Sequence, residues 1–147
     1  MIDVGAKATT QRVATARGAI QMLPQTAVLV RDAAVPKGNV LETARVAAIM
    51  AAKNTPLVIP LCHPLLISGV TCEFDCDVEA GEITTTATVK CSGQTGVEME
   101  ALTAVSAALL TIYDMTKGVD ETLEISNIVL LTKTGGKSGD FRRAEII

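Results

Sequence analysis

Apolar and polar residues alternate from Val70 to Val78, with Val70, Cys72, Phe74, Cys76 and Val78 on one side and Thr71, Glu73, Asp75 and Asp77 on the other. A period of two predicts a strand with one buried and one wet face. Glu79 to Glu82 reads as a turn. Beyond it Ile83, Thr85, Ala87, Val89 and Cys91 alternate with Thr84, Thr86, Thr88 and Lys90, which completes a predicted antiparallel hairpin. From Val97 to Lys117 the period lengthens. Leu102, Val105, Leu109 and Ile112 recur at helical spacing, and Ala101, Ala104 and Ala108 form a second stripe on which another backbone could pack closely. Ala101 to Tyr113 carries no charge, so this helix should be buried on more than one side, with Gly118 as its stop.

The rest of the pattern is weaker but ordered. Arg12 to Met22 reads as a first strand, and Pro24 to Asp32 as a short helix with proline in its first turn. Val35 to Asn39 (VPKGN) is a tight loop. Asn39, with Glu42 three residues on, is a capping signature for a helix from Val40 to Lys53. That helix is apolar nearly all round and is expected to be buried. The uncharged run Asn54 to Cys72 has the length of a membrane span, yet Pro56, Pro60, Pro64 and Gly69 break it into a looped, buried segment. Leu123 to Lys133 is a last strand, and Thr134 to Arg143 a Gly- and Lys-rich tail. Strand, helices, hairpin, helix, strand is the order of a split βαβ unit. The predicted class is α+β, an antiparallel sheet with helices packed on one face.

At 147 residues the chain is sized for one domain, 1–147, with a real core. Apolar residues make up 48% and the net charge is −3, the profile of a soluble globular protein without a nucleic-acid footprint. Aromatic residues are only 2% and Trp is absent, so Ala, Val, Leu and Ile must build the core, and nothing anchors a membrane interface. So many small apolar residues suit an oligomer with tight helix contacts. No apolar h-region follows Met1 to Lys7, so no signal peptide is read there. The four cysteines lack CxxC spacing and there is one His, so no metal site is expected. The thiols read as small apolar residues of a cytoplasmic protein.

The candidate chemistry gathers at helix ends and in loops. Asp114 and Lys117 are neighbours on the helix surface. Such spacing by itself favours a solvated ion pair closing a helix, while the uncharged run before it points toward a partly buried Asp that holds a Lys ready for proton transfer. His63 sits between Cys62 and Pro64, and a proline-pinned loop can hold a side chain still for positioning or simply pack it in the core. Lys133 to Gly139 (KTGGKSG) carries Lys133 and Lys137 on a glycine-rich backbone suited to phosphate oxygens. It lacks the first glycine of a Walker A loop and also fits a flexible basic tail. Ser92 to Gly96 opens the long helix, where Glu98 and Glu100 are dipole partners or acceptors.

At about 1.5 Å rise per residue, Glu98 and Asp114 stand about 24 Å apart along one helix. A small ligand cannot touch both. If both ends are catalytic, either there are two sites or the helix meets a second copy of itself, and the second arrangement is preferred.

With IPLCHP, GQTGVEMEALTAVSAALLTIYDMTK and LLTKTGGKSGDF in correct order, the chain resembles the MoaC family of molybdenum cofactor biosynthesis proteins from Asp3 to Phe141. The resemblance implies a ferredoxin-like fold assembled as a homohexamer, a trimer of dimers with sites at dimer interfaces. It implies a lyase that converts 3′,8-cyclo-7,8-dihydro-GTP to cyclic pyranopterin monophosphate and pyrophosphate, downstream of a radical S-adenosylmethionine enzyme acting on GTP. The family's catalytic Asp falls on Asp114 and its essential lysines on Lys37 and Lys117. Its substrate-binding segments fall on Leu61, Cys62 and His63, and on Met99 and Glu100, with supporting roles for Arg12, Glu98 and Lys133. On that reading Lys37 and Lys117 exchange protons while Asp114 orients Lys117. His63, Glu98 and Glu100 hold the ring, and Lys133, Lys137 and Arg12 take the triphosphate. No cofactor is implied beyond Mg²⁺ that could accompany the triphosphate. A non-catalytic pterin carrier and a purely structural oligomer are the competing classes.

Overall fold

The computed structural model describes residues 1–144. The elements run β1 (Thr10–Gln21), α1 (Pro24–Arg31), α2 (Val40–Lys53), α3 (Thr55–Val58), β2 (Ile67–Asp77), β3 (Glu82–Gly93), α4 (Glu98–Thr116), β4 (Glu124–Thr134) and β5 (Phe141–Arg142). They form one five-stranded sheet in the order β2-β3-β1-β4-β5, antiparallel throughout. Leaving β5 aside, this is the ferredoxin-like βαββαβ arrangement the sequence pattern implied, an α+β fold with α2 and α4 packed on the sheet. No helix is long and apolar enough to cross a membrane among the described residues.

Small side chains decide where α4 lies. Ala14, Ala16 and Gly18 line the central strand β1 on its helix side. A Cβ at Gly18 would sit 2.7 Å from Leu109 Cδ1 and 2.9 Å from Val105 Cγ1, so only glycine lets α4 settle onto the strand. On another face of α4, Ala101, Ala104 and Ala108 are fully buried, and Ala44, Ala48 and Ala52 bury the matching face of α2. Two alanine stripes let these helices approach closely. A methylene added to either would force the pair apart at about 1–3 kcal/mol.

Local signals are met with some changes. Asn39 Oδ1 caps α2 by accepting from Glu42 N–H at 3.2 Å, but the Glu42 carboxylate turns to Arg45 instead of returning to Asn39. Gly81 takes φ +66° in the β2–β3 turn, whereas Gly118 is not left-handed and α4 ends in a tight turn. The tail is no loose end. Gly135 and Gly136 reverse the chain at positive φ, and Phe141 and Arg142 pair back onto β4.

Two expected burials fail in the single chain. Helix α2 buries one stripe only, and leaves Val46 and Met50 exposed. The proline-broken run is looped but not buried: Leu57 is 84% exposed, Leu61 69% and Leu66 91%. The prolines prevent a span, yet α3 is too short to fold these side chains back onto the core.

Asp120, just past α4, ties the helix end to α1. Its carboxylate accepts from Leu23 N–H (2.9 Å), Thr26 Oγ1 (2.8 Å), Thr122 N–H (2.8 Å) and Thr122 Oγ1 (2.6 Å). Burial alone would raise its pKa, but these donors hold it down at about 2. A folded value below the unfolded one, about 3.9, gives stability that is full above pH 4 and lost as pH falls through 2. Asp120→Asn should therefore cost about 2–3 kcal/mol in urea titrations at pH 5–8, with the gap closing near pH 2. An undiminished gap at pH 2 would contradict this.

Candidate active site

Functional groups collect at both ends of α4. At its C-terminal end the VPKGN loop, pinched by a Val35–Gly38 bridge, brings Lys37 to the helix. Lys37 Nζ donates to Asp114 Oδ2 at 3.1 Å and to the Asp114 carbonyl at 3.0 Å. Lys117 Nζ lies 3.0 Å from Asp114 Oδ1. One carboxylate thus holds two ammonium groups, one on each oxygen. The bonds from Lys117 and then Lys37 keep the Asp114 carboxyl below the usual carboxylate range. The cluster is not the partly buried pair the helix suggested. Asp114 is 58% exposed and Lys117 57%, because they sit on the outward side of the helix end, while Met115 and Thr116 beside them are buried. Aligned but open to solvent, these ammonium groups can reach a ligand without unpacking the fold.

At the other end Glu100 is 1% exposed. Cys62 Sγ donates to its Oε1 at 3.5 Å, while Oε2 has no partner among the described residues. Burial pushes the Glu100 carboxyl above its ordinary value, and the Glu98 charge adds to this. Burial, followed by the charge of Glu100, lifts the Cys62 thiol to about 11, so Cys62 is no nucleophile near neutrality. A carboxyl raised in the folded state is most favourable when protonated. Its contribution is fullest below the unfolded value and is lost as pH rises through the folded one. Glu100→Gln should then raise the melting temperature at pH 7–8, and the difference should shrink toward pH 4. A lower melting temperature at pH 8 would contradict this.

Leu61, Cys62 and His63 face Glu98 and Met99 across a cleft of about 430 Å³, within the usual size range for small-molecule pockets. Beside it lie two clefts lined by cations. One of about 210 Å³ holds Arg12 and Lys133, and one of about 780 Å³ holds Arg12 and Lys137. Arg12 is buried, with Nε donating to the Gly93 carbonyl at 3.2 Å. Its guanidinium lies against Gly136, where any Cβ would collide with it. Lys133 pairs with Glu98 at 3.0 Å. No group of His, Cys, Asp and Glu able to hold a metal occurs among the described residues.

The residues singled out in the sequence therefore fall into two sets. Lys37, Asp114 and Lys117 form one. Leu61, Cys62, His63, Glu98, Met99 and Glu100, with Arg12, Lys133 and Lys137 beside them, form the other. Helix α4 keeps the sets about 24 Å apart, so no small ligand on one chain spans them. Two groups escaped the sequence reading. Asp120 had a signal, an Asp two residues before Thr122 in a turn. Lys7 lines all three clefts and had none.

Residues 1–136 match the family model described as the MoaC family. A relative in Chloroflexus aurantiacus named cyclic pyranopterin monophosphate synthase is 56% identical over 143 residues, covering 97% of this chain and 88% of the relative. One of the same name in Desulfitobacterium hafniense is 56% identical over 145 residues, covering 99% and 88%. A third, in Parvibaculum lavamentivorans, is 54% identical over 142 residues, covering 97% and 89%.

Proposed function

The chain belongs to the MoaC family, and from that premise we propose that it is a cyclic pyranopterin monophosphate synthase. It converts 3′,8-cyclo-7,8-dihydro-GTP to cyclic pyranopterin monophosphate with release of pyrophosphate, a lyase step of molybdenum cofactor biosynthesis. One observation carries the mechanism: a single carboxylate, Asp114, holds both Lys37 and Lys117 in place. Rebuilding a bridged purine into a pterin moves protons between nitrogens and carbons, work for two aligned ammonium/amine groups. Asp114 orients them.

The cleft beside His63 takes the ring. There Glu98 and Glu100 are the acceptors for its N–H groups. Arg12, Lys133 and Lys137 hold the phosphates and stabilise charge on the departing pyrophosphate. The chemistry is acid–base throughout, and Mg²⁺, where present, would enter with the triphosphate. Because the two sets of groups stand about 24 Å apart, the working site joins the C-terminal end of one α4 to the N-terminal end of another. A homohexamer built as a trimer of dimers provides this. The exposed Val46, Met50, Leu57, Leu61, Leu66 and Leu110 support assembly, since so much open apolar surface is unusual for a monomer. In the cytoplasm the substrate would come from a radical S-adenosylmethionine enzyme acting on GTP.

Single-turnover incubation of the purified protein with the cyclised nucleotide tests this reading. Release of one pyrophosphate per bound substrate is expected. Binding without conversion would make the protein a carrier, and no binding would leave it structural.

A further inference from the structure

The segment before β1 crosses the region where the three clefts meet. Met1, Ile2, Val4 and Lys7 wall one side of the cleft beside His63, and Lys7 continues into both clefts around Arg12. Little within the segment holds it in shape: Lys7 N–H donates to Val4 O at 3.0 Å and Gly5 N–H to Asp3 Oδ1 at 2.8 Å. Among the described residues two hydrogen bonds fasten it to the body, and both come from one side chain. Gln94 Nε2 donates to the Gly5 carbonyl at 3.2 Å and to the Lys7 carbonyl at 3.2 Å. Two acceptors facing one amide nitrogen fix the orientation of that amide, because its oxygen would meet two carbonyls. Gln94 itself is anchored at the end of β3, beside the Gly93 carbonyl that Arg12 holds. Lys7 makes no ion pair among the described residues, so its ammonium is free for a ligand.

We infer that Gln94 is a positioning residue: it fastens residues 1–7 as a strap and thereby sets Lys7 where the ring cleft and the phosphate clefts join. Lys7 then contacts the phosphate nearest the ring, and Gln94 acts on the ligand only through it. The identity of that ligand rests on the function proposed above, but the strap does not.

Gln94→Glu keeps the size of the side chain while it replaces both donors with acceptors facing carbonyls. Gln94→Lys restores a donor. The position lies in a surface loop, so both variants should fold. Three quantities are read on the full-length assembled protein: tryptic cleavage after Lys7 followed by mass spectrometry, tripolyphosphate affinity by calorimetry, and KM and kcat with the cyclised nucleotide. Gln94→Glu should speed the cleavage, weaken tripolyphosphate binding and raise KM, each about 10-fold, a size set by losing one or two hydrogen bonds. The value of kcat should stay within about 2-fold, since uniform binding is what is lost. Gln94→Lys should recover all three, and Lys7→Met added to Gln94→Glu should lower affinity no further.

Unchanged cleavage and tripolyphosphate affinity in Gln94→Glu would overturn the inference. So would failure of Gln94→Lys to recover, or a Lys7→Met effect that simply adds. Should the wild-type protein leave the cyclised nucleotide unconverted while cleavage and tripolyphosphate binding respond as expected, the proposed function falls and the strap stands.

Discussion

Lys117→Ala is expected to yield a folded protein whose turnover falls by about 10²- to 10⁴-fold, the contribution of one general acid or base. Folding should survive because Lys117 is half exposed and buries no stem in the core. Its ion pair with Asp114 is a surface pair, worth little to stability. Asp114 would still hold Lys37, so the cluster loses one proton-transfer group and keeps the other. The loss should appear in kcat with KM within a few-fold, since the phosphate contacts lie at the other end of α4. Steady-state pyrophosphate release measures both. Near wild-type turnover would remove Lys117 from the mechanism.

Asp114→Asn should lower kcat by about 10²- to 10³-fold with an unchanged melting temperature. The amide keeps the shape of the carboxylate, yet only its oxygen can accept, so one of the two lysines loses its partner. Neither the charge nor the exposed position gives Asp114 a role in the core, which separates this variant from Asp120→Asn. The carboxyl of Asp114 is held low by the two lysines, so the wild-type cluster stays intact into mildly acid solution. A loss of turnover between pH 8 and 6 therefore must come from other groups. Full activity in Asp114→Asn would show that the lysines need no alignment.

Periodicity revealed most of the fold because most of this core is apolar side chains on regular faces of strands and helices. The β2–β3 alternation, the twin stripes of α4 and the Asn39 cap each encode a face or an end, and each appears where the pattern put it. What periodicity could not show is which apolar faces a single chain leaves open. Val46, Met50 and Leu66 read as core, since an apolar residue that the chain leaves open and one that meets its own sheet look alike in sequence. Spacing left Asp114 and Lys117 open between a solvated pair and a partly buried one, and their exposed side of the helix end decides for the solvated pair.

Candidate residues were legible where helix ends, loops or motifs marked them, but their pairing was not. Lys37 meets Asp114 across 77 positions of chain, a pairing that no spacing argument yields. Gln94 lies inside the GQTGVEM motif and Lys7 outside all three motifs, and their link exists only once β3 and the first residues are folded together. Asp120 lay in a turn pattern that marks structure more often than chemistry.

The central claim is that opposite ends of α4 from different subunits share one site, and mixing two dead variants tests it most directly. Lys117→Ala spoils only the C-terminal end. A doubly altered Glu98→Gln, Glu100→Gln chain spoils only the N-terminal end. When the two are co-expressed in equal amounts, half of the dimers should be mixed and each should hold one intact site, giving about a quarter of wild-type turnover. Ends working within one chain would leave every site damaged, and the mixture would stay as inactive as its parts.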